Sequence, residues 1–137
     1  MTKTLGRCLC GDVTYEYSGP RNWPGHCHCD SCRRNCASPM VSYFGVPRTA
    51  YRFTGAAPAG FESSPGVRRL FCSHCGTQMA YDADRFKHEI HFYAASLIEP
   101  ENYEPEFHVH YGEQLSWLTV TDDLPKYDKG VVATSSG

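Results

Sequence analysis

Seven of the eight cysteines in this 137-residue chain sit in short clips, and no other feature limits its fold so strongly. The clips are Cys8-Leu9-Cys10, Cys27-His28-Cys29-Asp30-Ser31-Cys32 and Cys72-Ser73-His74-Cys75, and Cys36 stands alone four residues past the triplet. A disulfide between such near neighbours is strained or redox-active. Thiolates spaced this way converge readily on a zinc ion about 2.3 Å from each sulfur. The chain reads as a zinc protein, with its function at the metal.

Composition supports that reading. A chain of 137 residues has room for one domain with a modest core, which metal can supplement. We expect a single domain over residues 1–130 and a frayed tail over 131–137, ending Ala-Thr-Ser-Ser-Gly. Lys and Arg number 13 against 15 Asp and Glu, a net charge of -2, so the broad basic field needed for nonspecific nucleic-acid binding is missing. The first residues lack the apolar run of a signal peptide, and no stretch is long and apolar enough to span a bilayer. A cytoplasmic location is therefore expected, where paired cysteines are more often ligands than disulfides.

Short alternating segments dominate the chain. Val13, Tyr15 and Tyr17 alternate with polar neighbours, which predicts a half-buried strand over 12–17. Strands are also predicted over 40–46, 51–54, 67–72, 78–81, 89–94 and 107–111. Breakers separate them, among them Ser18-Gly19-Pro20, Trp23-Pro24-Gly25, residues 55–60 and Ser63-Ser64-Pro65-Gly66. A short helix fits 29–36, with Asp30 or Ser31 near its start. The fold class is mainly β.

Cys72-Ser73-His74-Cys75-Gly76 has the form of a zinc knuckle, in which the glycine takes φ > 0 and lets amides face a thiolate. It supplies two ligands, and Cys8-Leu9-Cys10-Gly11 offers two more, since residues two apart on a strand share a face. The triplet Cys27, Cys29, Cys32 is one ligand short of a closed tetrahedron, the pattern of a catalytic zinc. On spacing alone Cys36 could close it, being i+4 from Cys32 on a helix. His26 and His28 are further candidates.

These motifs, with their surroundings, resemble the glutathione-dependent formaldehyde-activating enzyme family, which includes the centromere protein V type. The resemblance runs from Cys8 to about Tyr127. It takes in Gly6-Arg-Cys-Leu-Cys-Gly-Asp-Val-Thr-Tyr-Glu16, Cys27-His-Cys-Asp-Ser-Cys-Arg-Arg34 and Ser64-Pro-Gly-Val-Arg-Arg-Leu-Phe-Cys-Ser-His-Cys-Gly-Thr77. Ser96-Leu-Ile-Glu-Pro100, Pro105-Glu-Phe-His108, Trp117 and Asp123-Leu-Pro125 complete it. The resemblance implies an Mss4-like fold of small twisted antiparallel sheets with one short helix, and two Zn2+ per chain. It assigns a structural zinc to Cys8, Cys10, Cys72 and Cys75. A catalytic zinc with an open position falls to Cys27, Cys29 and Cys32. The implied activity is a carbon–sulfur lyase of the S-(hydroxymethyl)glutathione synthase type, with glutathione and a small aldehyde as partners. Departures are Cys36, Ala37 where glycine is usual, and Leu97-Ile-Glu-Pro100 for Leu-Asp-Pro. The family pattern leaves Cys36 out of the ligand set.

Such a site would hold the thiol as thiolate, while His26, His28 or solvent protonates the new alkoxide. Arg33, Arg34, Arg68 and Arg69 are candidate carboxylate partners, though at least half of them read as solvated surface. Of His108 and His110, which alternate along a strand, one is expected to be a buried, hydrogen-bonded histidine. The competing function is a non-catalytic, zinc-stabilised glutathione- or protein-binding module.

Overall fold

The computed structural model describes residues 2–130, so the tail expected over 131–137 lies outside the described residues. Ten strands and one helix alternate in the order β1 (Thr4–Arg7), β2 (Thr14–Tyr17), β3 (Asn22–Cys27), α1 (Asp30–Cys36), β4 (Val41–Pro47), β5 (Tyr51–Phe53), β6 (Ala59–Ser64), β7 (Val67–Phe71), β8 (Gln78–Ala83), β9 (Glu89–Tyr93) and β10 (His108–Val109). They form a three-stranded sheet, β1-β2-β5, and a seven-stranded sheet, β10-β3-β4-β9-β8-β7-β6. Every pairing is antiparallel except β10 with β3. The expected mainly β fold with one short helix is present, its strands concentrated in one large sheet.

Side-chain alternation gives the large sheet two different faces. Phe44, Phe92, Ala80 and Leu70 lie in register across four strands, and they pack into the hydrophobic core beneath the small sheet. Tyr15 of β2 stacks on Phe92 with ring centroids 4.0 Å apart and planes 13° from parallel. Phe53 and Tyr51 of β5 meet Phe92 edge-on. Burying each such ring contributes roughly 1.5–3 kcal/mol, so the aromatic layer is a main source of cohesion between the sheets. Gly6, opposite Tyr15 in the β1–β2 ladder, leaves room for that ring; a Cβ there would overlap it. The Tyr15 hydroxyl donates to Ser96 Oγ at 2.7 Å, and Ser96 in turn donates to the Tyr93 carbonyl. The alternate register of the large sheet (Val41, Tyr43, Tyr93, His91, Tyr81, Arg69) faces away from this core.

Three strands run through sequence that reads as breakers or loop. β3 contains Trp23-Pro24-Gly25, accommodated by a register shift between Asn22 and Gly25 and by a left-handed Trp23 (φ 53). β6 is a polar edge strand, so core alternation does not mark it. β1 is interrupted by Gly6, whose job is to admit Tyr15. Among the described residues, no helix is long and apolar enough to cross a membrane.

Candidate metal centres and active-site cleft

The β1–β2 turn carries Cys8 and Cys10, and the β7–β8 turn carries Cys72 and Cys75. The two turns meet, and all four sulfurs lie within 4.8 Å of one another. Cys8 and Cys10 Sγ are 3.6 Å apart, Cys10 and Cys72 Sγ 3.8 Å. Four sulfurs about 2.3 Å from a central zinc would stand about 3.8 Å apart, so the group fits a tetrahedral ion. Backbone amides face the sulfurs: Val13 N–H donates to Cys8 Sγ and Cys75 N–H to Cys72 Sγ. Gly11 and Gly76 make these turns possible at φ 85 and 82. Thr77 ties the clips together, accepting from the Leu9 amide at 3.0 Å. Its hydroxyl and amide also hold the Cys75 thiol down at about 5, favouring the thiolate a metal needs. Because one clip belongs to each sheet, a metal here would staple the two sheets together.

The second cluster forms where β3 passes into α1. Cys27 ends the strand, Cys29 is the helix N-cap and Cys32 lies in the first turn. Their sulfurs also lie within 4.8 Å of one another. Cys29 Sγ accepts from the Cys32 amide at 3.3 Å and so caps a helix that starts at Asp30. Contacts from Cys27 and Cys29, then the Arg69 guanidinium, hold the Cys32 thiol well below its ordinary range. Arg69 Nη1 donates to Cys32 Sγ at 3.3 Å and Nε to Ser63 Oγ at 3.2 Å, with the guanidinium 4.8 Å from the Tyr81 ring centroid. Three thiols with converging sulfurs and an adjacent fixed cation fit a zinc with three protein ligands. Cys36, on the last turn of α1, is outside this group. Burial pushes its thiol up to about 11.

The trio opens onto a cleft of about 390 Å3 on the outward face of the large sheet. Its walls include Trp23, Tyr43, Tyr81, Phe86 and His91 as well as the cysteines. His91 Nε2 is 2.6 Å from Glu89 Oε2. Arg85 reaches over Tyr81 and Phe86. Trp23 and His110, two of the three non-glycine residues with positive φ, both line the cleft.

The histidines singled out from sequence go elsewhere. His28 is fully buried with Nε2 2.8 Å from His108 Nδ1, while His26 Nδ1 is 2.8 Å from Ser42 Oγ; neither lines the cleft. His108 is the buried, hydrogen-bonded member of its pair, and His110 reaches the cleft. Arg33 and Arg34 pair with Asp30, and Arg68 with Asp82 and Asp84, leaving only Arg69 of the four at the cleft. His91 and Arg85 were missed. The alternation of Tyr81 with residues 80 and 82, and of His91 with 90 and 92, was the available signal, since Tyr81 of β8 and His91 and Tyr93 of β9 share the outward face.

Residues 3–113 match the sequence family described as the glutathione-dependent formaldehyde-activating enzyme. The chain belongs to that family. Among curated proteins, this family member is 26% identical over 81 residues to an uncharacterized lyase of Schizosaccharomyces pombe. That match covers 59% of this chain and 58% of the fission-yeast protein, so it spans little more than half of the relative. A crystal structure of a Rhodobacter sphaeroides protein superposes with a TM-score of 0.59 at 20% identity, over 74% of this chain and 91% of that one. That likeness is one of fold.

Proposed function

We propose that the protein is a zinc-dependent, cytoplasmic carbon–sulfur lyase of the S-(hydroxymethyl)glutathione synthase type, joining a glutathione thiol to formaldehyde or a related small electrophile. The observation that carries this reading is the cysteine trio, without Cys36, at the wall of a cleft large enough for a small-molecule ligand. Membership of the family supports it at the level of the reaction class.

A zinc bound to Cys27, Cys29 and Cys32 would supply one exchangeable position at which an incoming thiol gives up its proton at neutral pH. Arg69 fixes the Cys32 sulfur and offsets part of the charge of three thiolates. The aromatic walls would hold the thiol and aldehyde side by side, which supplies most of what an addition needs. The sulfur lone pair forms the new C–S bond as the carbonyl π pair moves onto oxygen. His91, with Nε2 tied to Glu89, keeps Nδ1 as the ring atom to take the thiol proton and return it to the alkoxide. Arg85 at the rim suits a glutathione carboxylate.

Exchange NMR of glutathione and formaldehyde, with and without protein, tests the proposal. Zinc-loaded protein should accelerate hydroxymethylglutathione formation and breakdown equally, and Cys29→Ser should abolish the effect. Unchanged exchange would reject the lyase and leave a glutathione-binding module.

A further inference from the structure

Behind the cysteine trio, on the far side of β3 from α1, lies a polar cluster that the proposed reaction does not use. The parallel pairing of β10 with β3 sets His108 directly beside His26, their ring centroids 4.9 Å apart. The chain then returns along β10, where His108 N–H donates to the Pro125 carbonyl and Tyr127 N–H to the His108 carbonyl. That return brings Asp122 against the pair: His108 Nε2 is 2.9 Å from Asp122 Oδ2 and 3.2 Å from Oδ1. One ring nitrogen of each histidine and one carboxylate oxygen lie within 4.8 Å of one another.

We propose that His26, His108 and Asp122 form a third metal site, a two-histidine, one-carboxylate cradle for a divalent cation of the zinc type, separate from both cysteine clusters. Bonds of about 2.0–2.2 Å from a tetrahedral ion would place its ligand atoms about 3.3–3.6 Å apart; His108 Nε2 and Asp122 Oδ2, now 2.9 Å apart, would part slightly to admit the ion, and all three donor atoms already lie within 4.8 Å of one another. The outer contacts have the form that metal-bound histidines use. His26 Nδ1 meets Ser42 Oγ at 2.8 Å, which leaves Nε2 for a cation. His108 Nδ1 meets the buried His28 Nε2 at 2.8 Å, which likewise leaves Nε2. A hydrogen-bonded Asp122–His108–His28 chain accounts for three of the residues, and the strand register brings His26 alongside as a further donor. Two sheet strands and a pinned turn hold the ligands, so little ordering is required on binding. Imidazole and carboxylate donors without a thiolate favour zinc, cobalt or nickel over soft metals. Three protein ligands leave a position for water.

The charges around the cluster are Lys126 and Asp122 itself. Lys126 Nζ is 3.3 Å from Asp122 Oδ1, which also accepts from the Leu124 amide; Oδ2 faces His108 alone. A cation would therefore take Oδ2 and leave Lys126 in place. A bound ion would pin the segment around Asp122 to β3, the strand that ends in Cys27.

Untagged protein loaded with zinc, desalted and analysed for metal tests the site without reference to any activity. Wild type should hold one more zinc per chain than Asp122→Ala, a substitution at an exposed position, and one more than His26→Gln. Adding cobalt to protein whose cysteine sites already hold zinc should produce visible d–d absorption without a thiolate-to-cobalt charge-transfer band. Asp122→Ala should remove that absorption. Equal metal content in wild type and Asp122→Ala, or cobalt absorption that persists in the variant, would overturn the site and leave only a hydrogen-bonded histidine–aspartate pair.

Discussion

Cys36 separates an open site from a closed one, and its position at the last turn of α1 puts it outside the sulfur trio. Cys36→Ala should keep the zinc content of wild type in metal analysis; loss of one zinc per chain would close the site. Next to it, Ala37 ends the helix in the left-handed region at φ 51. That conformation explains why glycine is usual there, because a Cβ in this region costs roughly 1–2 kcal/mol. Ala37→Gly should raise the unfolding free energy by about 1 kcal/mol in denaturant titration, and a fall would contradict the account. Arg69, only 5% exposed, contacts the Cys32 sulfur and would act through it on a metal bound at the trio. Arg69→Met should weaken zinc at the trio by about 10- to 100-fold in chelator competition, as losing such outer contacts does elsewhere. Unchanged affinity would remove Arg69 from the site.

At the scale of elements, a metal held by the two cysteine turns would do what a larger core would otherwise do. Each places a clip at the end of a hairpin, and the pair joins the small sheet to the large one. Cys75→Ser should therefore lose the cooperative unfolding transition or fail to fold, because structural zinc contributes folding free energy directly. A stable, fully zinc-loaded Cys75→Ser protein would contradict the staple. Gly6→Ala should cost about 1–3 kcal/mol by denaturation, since its Cβ overlaps the Tyr15 ring. The clips and α1 were legible because spacing and helix signals are local. So were the strands with one face in the core, such as β2 and β4. β1, β3 and β6 were not, because their breakers serve distant partners: Gly6 admits Tyr15, and Gly25 lies against Phe107. The cleft was the least legible part, since Tyr43, Tyr81, His91 and Arg69 come together only through sheet register.

Across the whole molecule, one sheet serves two purposes. Its inner face carries the aromatic core, and its outer face carries the cleft and the cysteine trio. In the proposed reaction this trio leaves a metal position for a substrate thiolate. Calorimetry of zinc-loaded protein with glutathione and with S-methylglutathione tests it most directly. Glutathione should bind far more tightly than its thioether, with affinity rising as pH climbs toward the thiol pKa of about 8.5, because the proton must leave before sulfur can bind. Equal affinities for the two compounds, unchanged by pH, would contradict it.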